Sequence, residues 1–121
     1  MPVRSVLIVD DSKTELMYLS EMLKGEGLSV ATAESAEDAQ AQLERHKPDL
    51  ILMDVVMPGK NGFQLTRALA RDPRYADRPV ILCTSKNQET DRVWGMRQGA
   101  RDDIDKPVDR AELMGKIRQL D

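Results

Sequence analysis

The chain has 121 residues, with 18 Lys and Arg against 21 Asp and Glu and a formal net charge of −3. This length suits one ordinary domain, residues 1–121, and an acidic balance without a basic block argues against nucleic acid as a partner. A single cysteine excludes an internal disulfide and the N-terminus lacks a signal peptide, so we expect a cytoplasmic protein. No apolar run reaches the roughly 18 residues that cross a bilayer, so we expect no direct membrane binding.

The first half of the chain alternates apolar, strand-like runs with segments of helical periodicity. Leu16, Leu19 and Leu23 follow the spacing of a buried helix face. Ser12 and Glu15 match a capping box, in which the Ser12 side chain caps the helix and the Glu15 side chain reaches back to the Ser12 amide. We predict strands at 5–10, 28–33 and 49–54 and helices at 12–24 and 35–47.

The second half repeats this alternation after the loop "VMPGKNG". We predict helices near 63–71, 89–98 and 109–120 and strands at 79–84 and 102–105. Five strands alternating with five helices indicate an α/β fold, a doubly wound (βα)5 arrangement with a five-stranded parallel sheet.

The composition of the strands predicts their order in the sheet. Strands covered on both faces read as continuous apolar runs, and "VLIV", "LILM" and "VILC" fit this description. The second strand alternates and the fifth, "DDID", is largely polar, which places both at the edges. The flavodoxin-like order 2-1-3-4-5 satisfies these conditions, and ligands in such sheets bind where strands 1 and 3 end.

Three carboxylates follow those two strand ends. Neighbouring strands lie about 4.8 Å apart, so Asp10 and Asp11 are expected close to Asp54. Like charges in one pocket repel, and a hard cation such as Mg²⁺ relieves the repulsion while keeping several waters. We therefore expect a Mg²⁺ site, and we expect neutralisation of either Asp10 or Asp11 to stabilise the metal-free protein.

Two further side chains are expected at the same edge of the sheet. Thr84 ends the fourth strand, and Lys106 follows the fifth, roughly 10 Å from the third. A hydroxyl and an ammonium beside a metal site suit phosphoryl transfer to Asp54. Taken singly, each residue also has a structural explanation, such as the preference of Asp10 and Asp11 for a helix N-terminus. Their meeting at one edge favours the functional interpretation.

The segments "LIVDDS", "DLILMDVVMPGKNGF", "PVILCTS" and "QGARDDIDKPV" occur in the order of the motif blocks of a response-regulator receiver domain. Over nearly its whole length the chain resembles this CheY-like family. The resemblance implies a signalling domain that assists its own phosphoryl transfer and dephosphorylation, not a classical enzyme. It also implies that Asp54 is the phosphoacceptor, Thr84 the switch hydroxyl and Lys106 the phosphoryl-contacting lysine, with a cis peptide before Pro107.

The resemblance implies a set of metal ligands as well. Asp10 and Asp11 match the acidic pair that holds Mg²⁺ directly or through water. The resemblance further implies that Asp54 is the third acidic ligand and that the backbone carbonyl of Val56 would complete the protein's share of the site.

The phrases "DDSKTE" and "QETDRVWGMRQGA" are similar to the single-domain regulators of twitching motility of the PilH type. This likeness implies a sensor histidine kinase of the chemotaxis type as the phosphoryl donor and a protein of the motility apparatus as a partner. The chain ends at Asp121, directly after the last predicted helix. We therefore expect a stand-alone receiver that signals through phosphorylation-dependent protein binding or acts as a phosphate sink for its kinase.

Two residues depart from the family pattern. Receivers usually carry Tyr or Phe three residues before the lysine, where this chain has Asp103. Asp105 replaces a residue that is commonly apolar and is expected to compete for the Lys106 ammonium.

Two alternatives stay open. A pseudo-receiver would bind partners without phosphorylation, and the unusual fifth strand favours it. A haloacid-dehalogenase-like phosphatase also uses an aspartate nucleophile, but its motif needs two Asp separated by one residue, whereas "DDS" has adjacent carboxylates.

Overall fold

The five strands form one parallel sheet. The computed structural model describes residues 3–55, 62–85, 93 and 96–120. The strands are β1 (Ser5–Val9), β2 (Ser29–Ala33), β3 (Leu50–Asp54), β4 (Val80–Ser85) and β5 (Asp102–Lys106). Their order is β2-β1-β3-β4-β5, which confirms the predicted flavodoxin-like arrangement. Every residue of β3 is buried, whereas most residues of β2 and β5 are partly exposed, as expected for a central strand and two edges.

Four helices lie within the described residues. They are α1 (Lys13–Gly25), α2 (Ala36–Arg45), α3 (Gly62–Arg71) and α4 (Arg110–Gln119). The predicted helix near 89–98 falls mainly outside the described residues; of its span, Val93, Met96 and Arg97 are helical. Within the described part of the chain, none of the helices combines the length and the apolar character that crossing a membrane requires.

Both faces of the sheet are covered by apolar side chains. The face toward α2 and α3 carries a cluster of buried residues that includes Leu7, Val9, Ile51, Met53, Leu65 and Leu82. The opposite face, toward α1 and α4, carries a second cluster that includes Ile8, Leu16, Leu52, Cys83, Ile104 and Leu113. Burial raises the pKa of the Cys83 thiol to about 12, so this cysteine is an inert core residue at neutral pH.

The helix starts are fixed by local side-chain caps. The side chains of Ser12, Ser35 and Asp109 accept hydrogen bonds from backbone amides in the first turns of α1, α2 and α4. Because each helix begins shortly after a strand ends, these caps lie at the carboxyl edge of the sheet. The fold therefore collects strand ends and helix N-termini on one side of the molecule.

Candidate functional site

Three carboxylates meet at the carboxyl edge of the sheet. Val9 and Met53 are register partners in β1 and β3, which brings Asp10 beside Asp54 at the strand ends. Asp10 is 2% exposed and Asp54 is 7% exposed, whereas Asp11 is exposed to solvent. One carboxylate oxygen from each of the three residues lies within 4.8 Å of the others. The structure thus brings together the acidic residues that the sequence placed in one pocket.

Lys106, at the end of β5, bridges the two buried carboxylates. Its Nζ atom donates hydrogen bonds to Asp10 Oδ2 at 3.0 Å and to Asp54 Oδ1 at 3.1 Å. Burial by itself lowers the pKa of the Lys106 ammonium, but the hydrogen bond to Asp10 and the charge of Asp54 outweigh it and raise the pKa above its usual range. Lys106 is therefore a permanent cation that neutralises much of the acidic pocket at neutral pH.

Asp10 is held from a second direction by the start of α1. The Ser12 amide donates to Asp10 Oδ1 at 2.9 Å, while the Ser12 hydroxyl accepts from the Glu15 amide at 3.3 Å. The predicted capping box is therefore only half right, because Asp10 takes the amide that Glu15 was expected to bind. Glu15 Oε1 is buried and has no hydrogen-bond partner among the described residues.

Thr84, the residue before the last of β4, is fully buried, and among the described residues its hydroxyl makes no hydrogen bond to Lys106 or to the aspartate cluster. Its Oγ1 donates to Asp105 Oδ1 at 3.3 Å, and the two residues are register partners on adjacent strands. The expectation that Asp105 competes for the Lys106 ammonium needs correction. Successive side chains of a strand point to opposite faces, so Asp105 faces the Thr84 side while Lys106 faces Asp54.

Asp103 lies two residues earlier on the same face of β5. It is partly buried and is the register partner of Leu82 in β4. Its amide donates to Asp102 Oδ1 at 2.8 Å, and Asp102 is in turn paired with Lys116 of α4 at 3.2 Å. A partly buried carboxylate therefore occupies the strand position where the family usually has an aromatic ring.

Two implications of the family resemblance concern the flanking loops. The peptide bond between Lys106 and Pro107 is cis, as the resemblance implied. Val56, named for a backbone carbonyl ligand to the metal, lies outside the described residues.

Gly62 supports Asp54 and was missed by the sequence reasoning. A Cβ atom at Gly62 would collide with the backbone carbonyl group of Asp54 and the Cα of Val55. The Gly62 amide donates to the Val55 carbonyl at 3.3 Å, and the Thr66 hydroxyl donates to the Gly62 carbonyl at 2.7 Å. Only glycine fits this approach, so the start of α3 packs directly on the backbone of the strand end. The glycine in "KNGF" is the sequence signal, but its meaning depends on a three-dimensional contact.

Tyr18 provides a second support that the sequence did not reveal. Its hydroxyl donates to the Val108 carbonyl at 2.7 Å across 90 positions of the chain. This hydrogen bond ties α1 to the segment that follows Lys106. The two elements that hold Asp10 and Lys106 are therefore linked to each other.

The donor set fits a hydrated magnesium ion. Oxygens bound to Mg²⁺ at about 2.1 Å lie about 3.0 Å apart when adjacent and about 4.2 Å apart when opposite. Carboxylate oxygens within 4.8 Å of one another approach this spacing, so a small shift or one intervening water satisfies it. Asp11, the exposed member, brings one side of the cluster into contact with solvent. The site can thus hold a divalent cation next to a buried carboxylate and an ammonium, the set that phosphoryl transfer requires.

These features define a receiver domain, and the family comparison agrees. The model of the response regulator receiver domain family matches residues 6–118, and the chain belongs to this family. Receiver domains are signalling domains of two-component systems that interact with histidine kinases and downstream targets. They generally bind Mg²⁺ at an acidic pocket, which corresponds to the aspartate cluster of this chain.

Particular relatives refine this assignment. Protein PilH of Pseudomonas aeruginosa is 53% identical over 95% of this chain and 95% of its own length. The response regulator PleD of Caulobacter vibrioides is 38% identical over 95% of this chain, which corresponds to 25% of PleD. The crystal structure of a putative response regulator from Chloroflexus aurantiacus has a TM-score of 0.94 at 30% identity, covering 99% of this chain and 98% of that one. Chemotaxis protein CheY4 of Vibrio cholerae has a TM-score of 0.90 at 27% identity and 98% coverage of both chains.

Proposed function

We propose that this receiver accepts a phosphoryl group on Asp54 from the phosphohistidine of a sensor histidine kinase, in a reaction that depends on Mg²⁺. The observation that carries the proposal is the bridge from Lys106 to Asp10 and Asp54, with hydrogen bonds of 3.0 and 3.1 Å. A buried carboxylate beside a fixed ammonium and two further carboxylates is costly to assemble for structural reasons alone. Phosphoryl transfer uses each of these groups.

The chemistry assigns a role to each side chain. An oxygen of the Asp54 carboxylate attacks the phosphorus atom, the bond between phosphorus and the imidazole nitrogen breaks, and the electron pair stays on the imidazole. Asp10, Asp11 and Asp54, together with the backbone carbonyl that the family resemblance assigns to Val56, would hold Mg²⁺, which would supply positive charge to the phosphoryl oxygens. Lys106 moves from the carboxylate it holds to an oxygen of the acyl phosphate.

Thr84 supplies the conformational response in this proposal. Its hydroxyl turns from Asp105 to a phosphoryl oxygen, and the end of β4 moves with it. The acyl phosphate carries roughly −1.5 to −2 charges where the Asp54 carboxylate carried one, so the pocket gains up to about one negative charge together with three acceptor oxygens. Such a change is large enough to alter the surface that the receiver offers to partners.

The biological setting is proposed from the relatives. The 53% identity to PilH over 95% of both chains supports a stand-alone receiver of a chemosensory system that acts in twitching motility. Its donor would be a kinase of the chemotaxis type, in the cytoplasm where ATP-dependent kinases act. Its output would be a phosphorylation-dependent contact with a motility protein, or drainage of phosphoryl groups from that kinase.

The test is phosphorylation by acetyl phosphate with and without Mg²⁺, followed by intact-mass measurement. We expect one phosphoryl adduct that requires Mg²⁺ and disappears in Asp54→Asn. Asp49→Asn is a matched control, because Asp49 directly precedes β3 and so lies at the opposite end of that strand from Asp54. This variant is expected to form the adduct as the unaltered chain does. Continuous turnover of acetyl phosphate without a stable adduct would indicate a phosphatase, and an unmodified protein would indicate a pseudo-receiver.

A further inference from the structure

The hydroxyl of Thr84 is already engaged by a carboxylate that lies outside the acidic pocket. Thr84 is 0% exposed, and its Oγ1 lies 3.3 Å from Asp105 Oδ1. The two residues face each other across β4 and β5, so the strand register fixes their proximity. The Thr84 hydroxyl is also the group that, in the proposed function, donates a hydrogen bond to the phosphoryl group.

We infer that Asp105 is a positioning residue that competes with the phosphoryl group for the Thr84 hydroxyl and thereby weakens the phosphorylated conformation. The inference rests on the proposed function. A hydroxyl carries one hydrogen to donate, so Thr84 cannot donate to Asp105 and to a phosphoryl oxygen at once. Each transition to the phosphorylated conformation must therefore break the hydrogen bond to Asp105.

Charge adds to this competition. The Asp105 carboxylate lies on the face of β5 that contacts Thr84. The next residue, Lys106, lies on the opposite face and pairs with Asp54. When the Thr84 hydroxyl turns toward a phosphoryl group of roughly −1.5 to −2 charges, the hydrogen bond from Thr84 to Asp105 breaks and the Asp105 carboxylate repels that group. Adjacent residues of one strand thus act in opposite directions, Lys106 favouring the phosphoryl group and Asp105 opposing it.

The length of the hydrogen bond limits the size of the effect. A strong bond between a hydroxyl and a carboxylate is about 2.5 to 2.7 Å long, whereas the bond from Thr84 to Asp105 is 3.3 Å. We therefore expect Asp105 to change the affinity for a phosphoryl mimic by about tenfold, not by several hundredfold.

A purely structural role for the same contact makes a different prediction. If Asp105 only joined β4 to β5, its replacement would lower stability and leave the affinity for a phosphoryl mimic unchanged. Competition predicts that replacement raises this affinity, and that the gain requires the Thr84 hydroxyl. A double-mutant cycle separates the two roles.

The experiment uses beryllofluoride with Mg²⁺ as the phosphoryl mimic and measures its dissociation constant in four proteins. These are the unaltered chain, Asp105→Asn, Thr84→Val and the double variant, each checked for folding by thermal melting. Asp105→Asn is expected to bind the mimic about tenfold more tightly, a factor that corresponds to about 1.4 kcal/mol. In the Thr84→Val background the same substitution is expected to change the dissociation constant by less than about twofold.

Two controls exclude simpler causes. Asp103→Asn removes a carboxylate from the same face of β5 and is expected to change the affinity for beryllofluoride by less than about twofold. This result would show that loss of a negative charge from this face does not by itself raise the affinity. Asp105→Val can neither accept nor donate a hydrogen bond, and a gain in affinity in this variant rules out a new bond from the asparagine amide.

The outcomes separate this inference from the proposed function. If the unaltered chain binds beryllofluoride but Asp105→Asn and Asp105→Val bind it no more tightly, the inference is overturned and the proposed function stands. An equal gain in the Thr84→Val background, or an equal gain from Asp103→Asn, also overturns it. If the unaltered chain binds no beryllofluoride, the proposed function fails and the inference fails with it.

Discussion

Lys106 Nζ lies 3.1 Å from Asp54 Oδ1, although the two residues are 52 positions apart and their strands are separated by β4. The same ammonium reaches Asp10 at the end of β1, so one side chain joins three strands at the carboxyl edge of the sheet. In the metal-free state this ammonium neutralises the charge that Mg²⁺ would otherwise neutralise. In the proposed metal-bound state, Lys106 and Mg²⁺ would therefore share the carboxylates of Asp10 and Asp54.

Replacing Lys106 should affect stability and metal binding in opposite directions. Lys106→Met leaves Asp10 and Asp54 buried without their cation, and we expect the free energy of unfolding in chelator to fall by about 2 kcal/mol. The unneutralised carboxylates should then bind Mg²⁺ about tenfold more tightly. Denaturant unfolding in chelator and a Mg²⁺ titration followed by thermal melting measure the two effects.

Lys116→Met is the matched control for this prediction. Lys116 pairs with Asp102 at 3.2 Å with a similar exposure of 23%, but this pair lies away from the carboxylate cluster. We expect a loss of less than about 1 kcal/mol and an unchanged affinity for Mg²⁺. A weaker Mg²⁺ affinity in Lys106→Met than in the unaltered chain would show that the ammonium does not oppose the metal.

The strand order and the proximity of the carboxylates could be predicted because both depend on patterns that are visible in the amino-acid sequence. Apolar runs mark the central strands, and strand ends mark the edge at which Asp10 and Asp54 meet. The partner of each oxygen could not be predicted in the same way. One carboxylate oxygen of Asp10 accepts a hydrogen bond from the Ser12 amide and the other accepts from Lys106. The Ser12 amide, which the capping box assigned to the Glu15 side chain, is therefore already bound.

The role of Asp105 escaped prediction for a related reason. Its proximity to Lys106 in the chain suggested a local ion pair, but the alternation of side chains along β5 sends the two to opposite faces. Its contact with Thr84 depends on the register of β4 and β5, which the sequence does not specify residue by residue. The close approach of Gly62 to Asp54 likewise depends on how α3 meets β3.

The two members of the acidic pair should respond differently to neutralisation. Asp11 is exposed and adds negative charge to the cluster, so Asp11→Asn should raise the melting temperature in chelator by relieving repulsion. Asp10 accepts from Ser12 and Lys106, so Asp10→Asn should lower it, contrary to the expectation from the sequence. Both variants should lose stabilisation by Mg²⁺. Thermal melts with and without Mg²⁺ test this, and a stabilised Asp10→Asn in chelator would contradict the argument from its hydrogen bonds.

Asp49 should contribute a pH-dependent part of the stability. Its carboxylate accepts from the Arg4 amide at 3.0 Å and from the Ser5 amide at 3.2 Å, and the Arg4 hydrogen bond is the main reason that its pKa is lowered. A lowered pKa in the folded state means that the contribution is present above the unfolded pKa of about 3.9 and is lost as the pH falls through the folded value. We expect Asp49→Asn to cost about 1 kcal/mol at pH 7, a modest figure because the side chain is 36% exposed.

Urea unfolding between pH 7 and pH 2.5 checks the Asp49 prediction. The difference between the unaltered chain and Asp49→Asn should shrink as the pH falls below about 3.9. Asp77→Asn is the control, since that side chain is 81% exposed and its nearest ion-pair distance, to Arg78, is 3.9 Å. A difference that stays constant across this pH range would exclude the ionised carboxylate as the cause.

Gly62→Ala should damage the site through the backbone of Asp54, without removing any charged group. The added Cβ collides with the Asp54 carbonyl, and because the obstacle is backbone, either α3 or the end of β3 must move. We expect a loss of about 2 to 4 kcal/mol in the free energy of unfolding and a slower phosphorylation of Asp54 by acetyl phosphate. Gly115→Ala is the matched control, because nothing lies within 4 Å of a Cβ built at this position in α4. Alanine there should stabilise the protein by up to about 1 kcal/mol and leave the phosphorylation rate unchanged. If both alanine variants have the same stability and rate, the contact between Gly62 and Asp54 does not position the carboxylate.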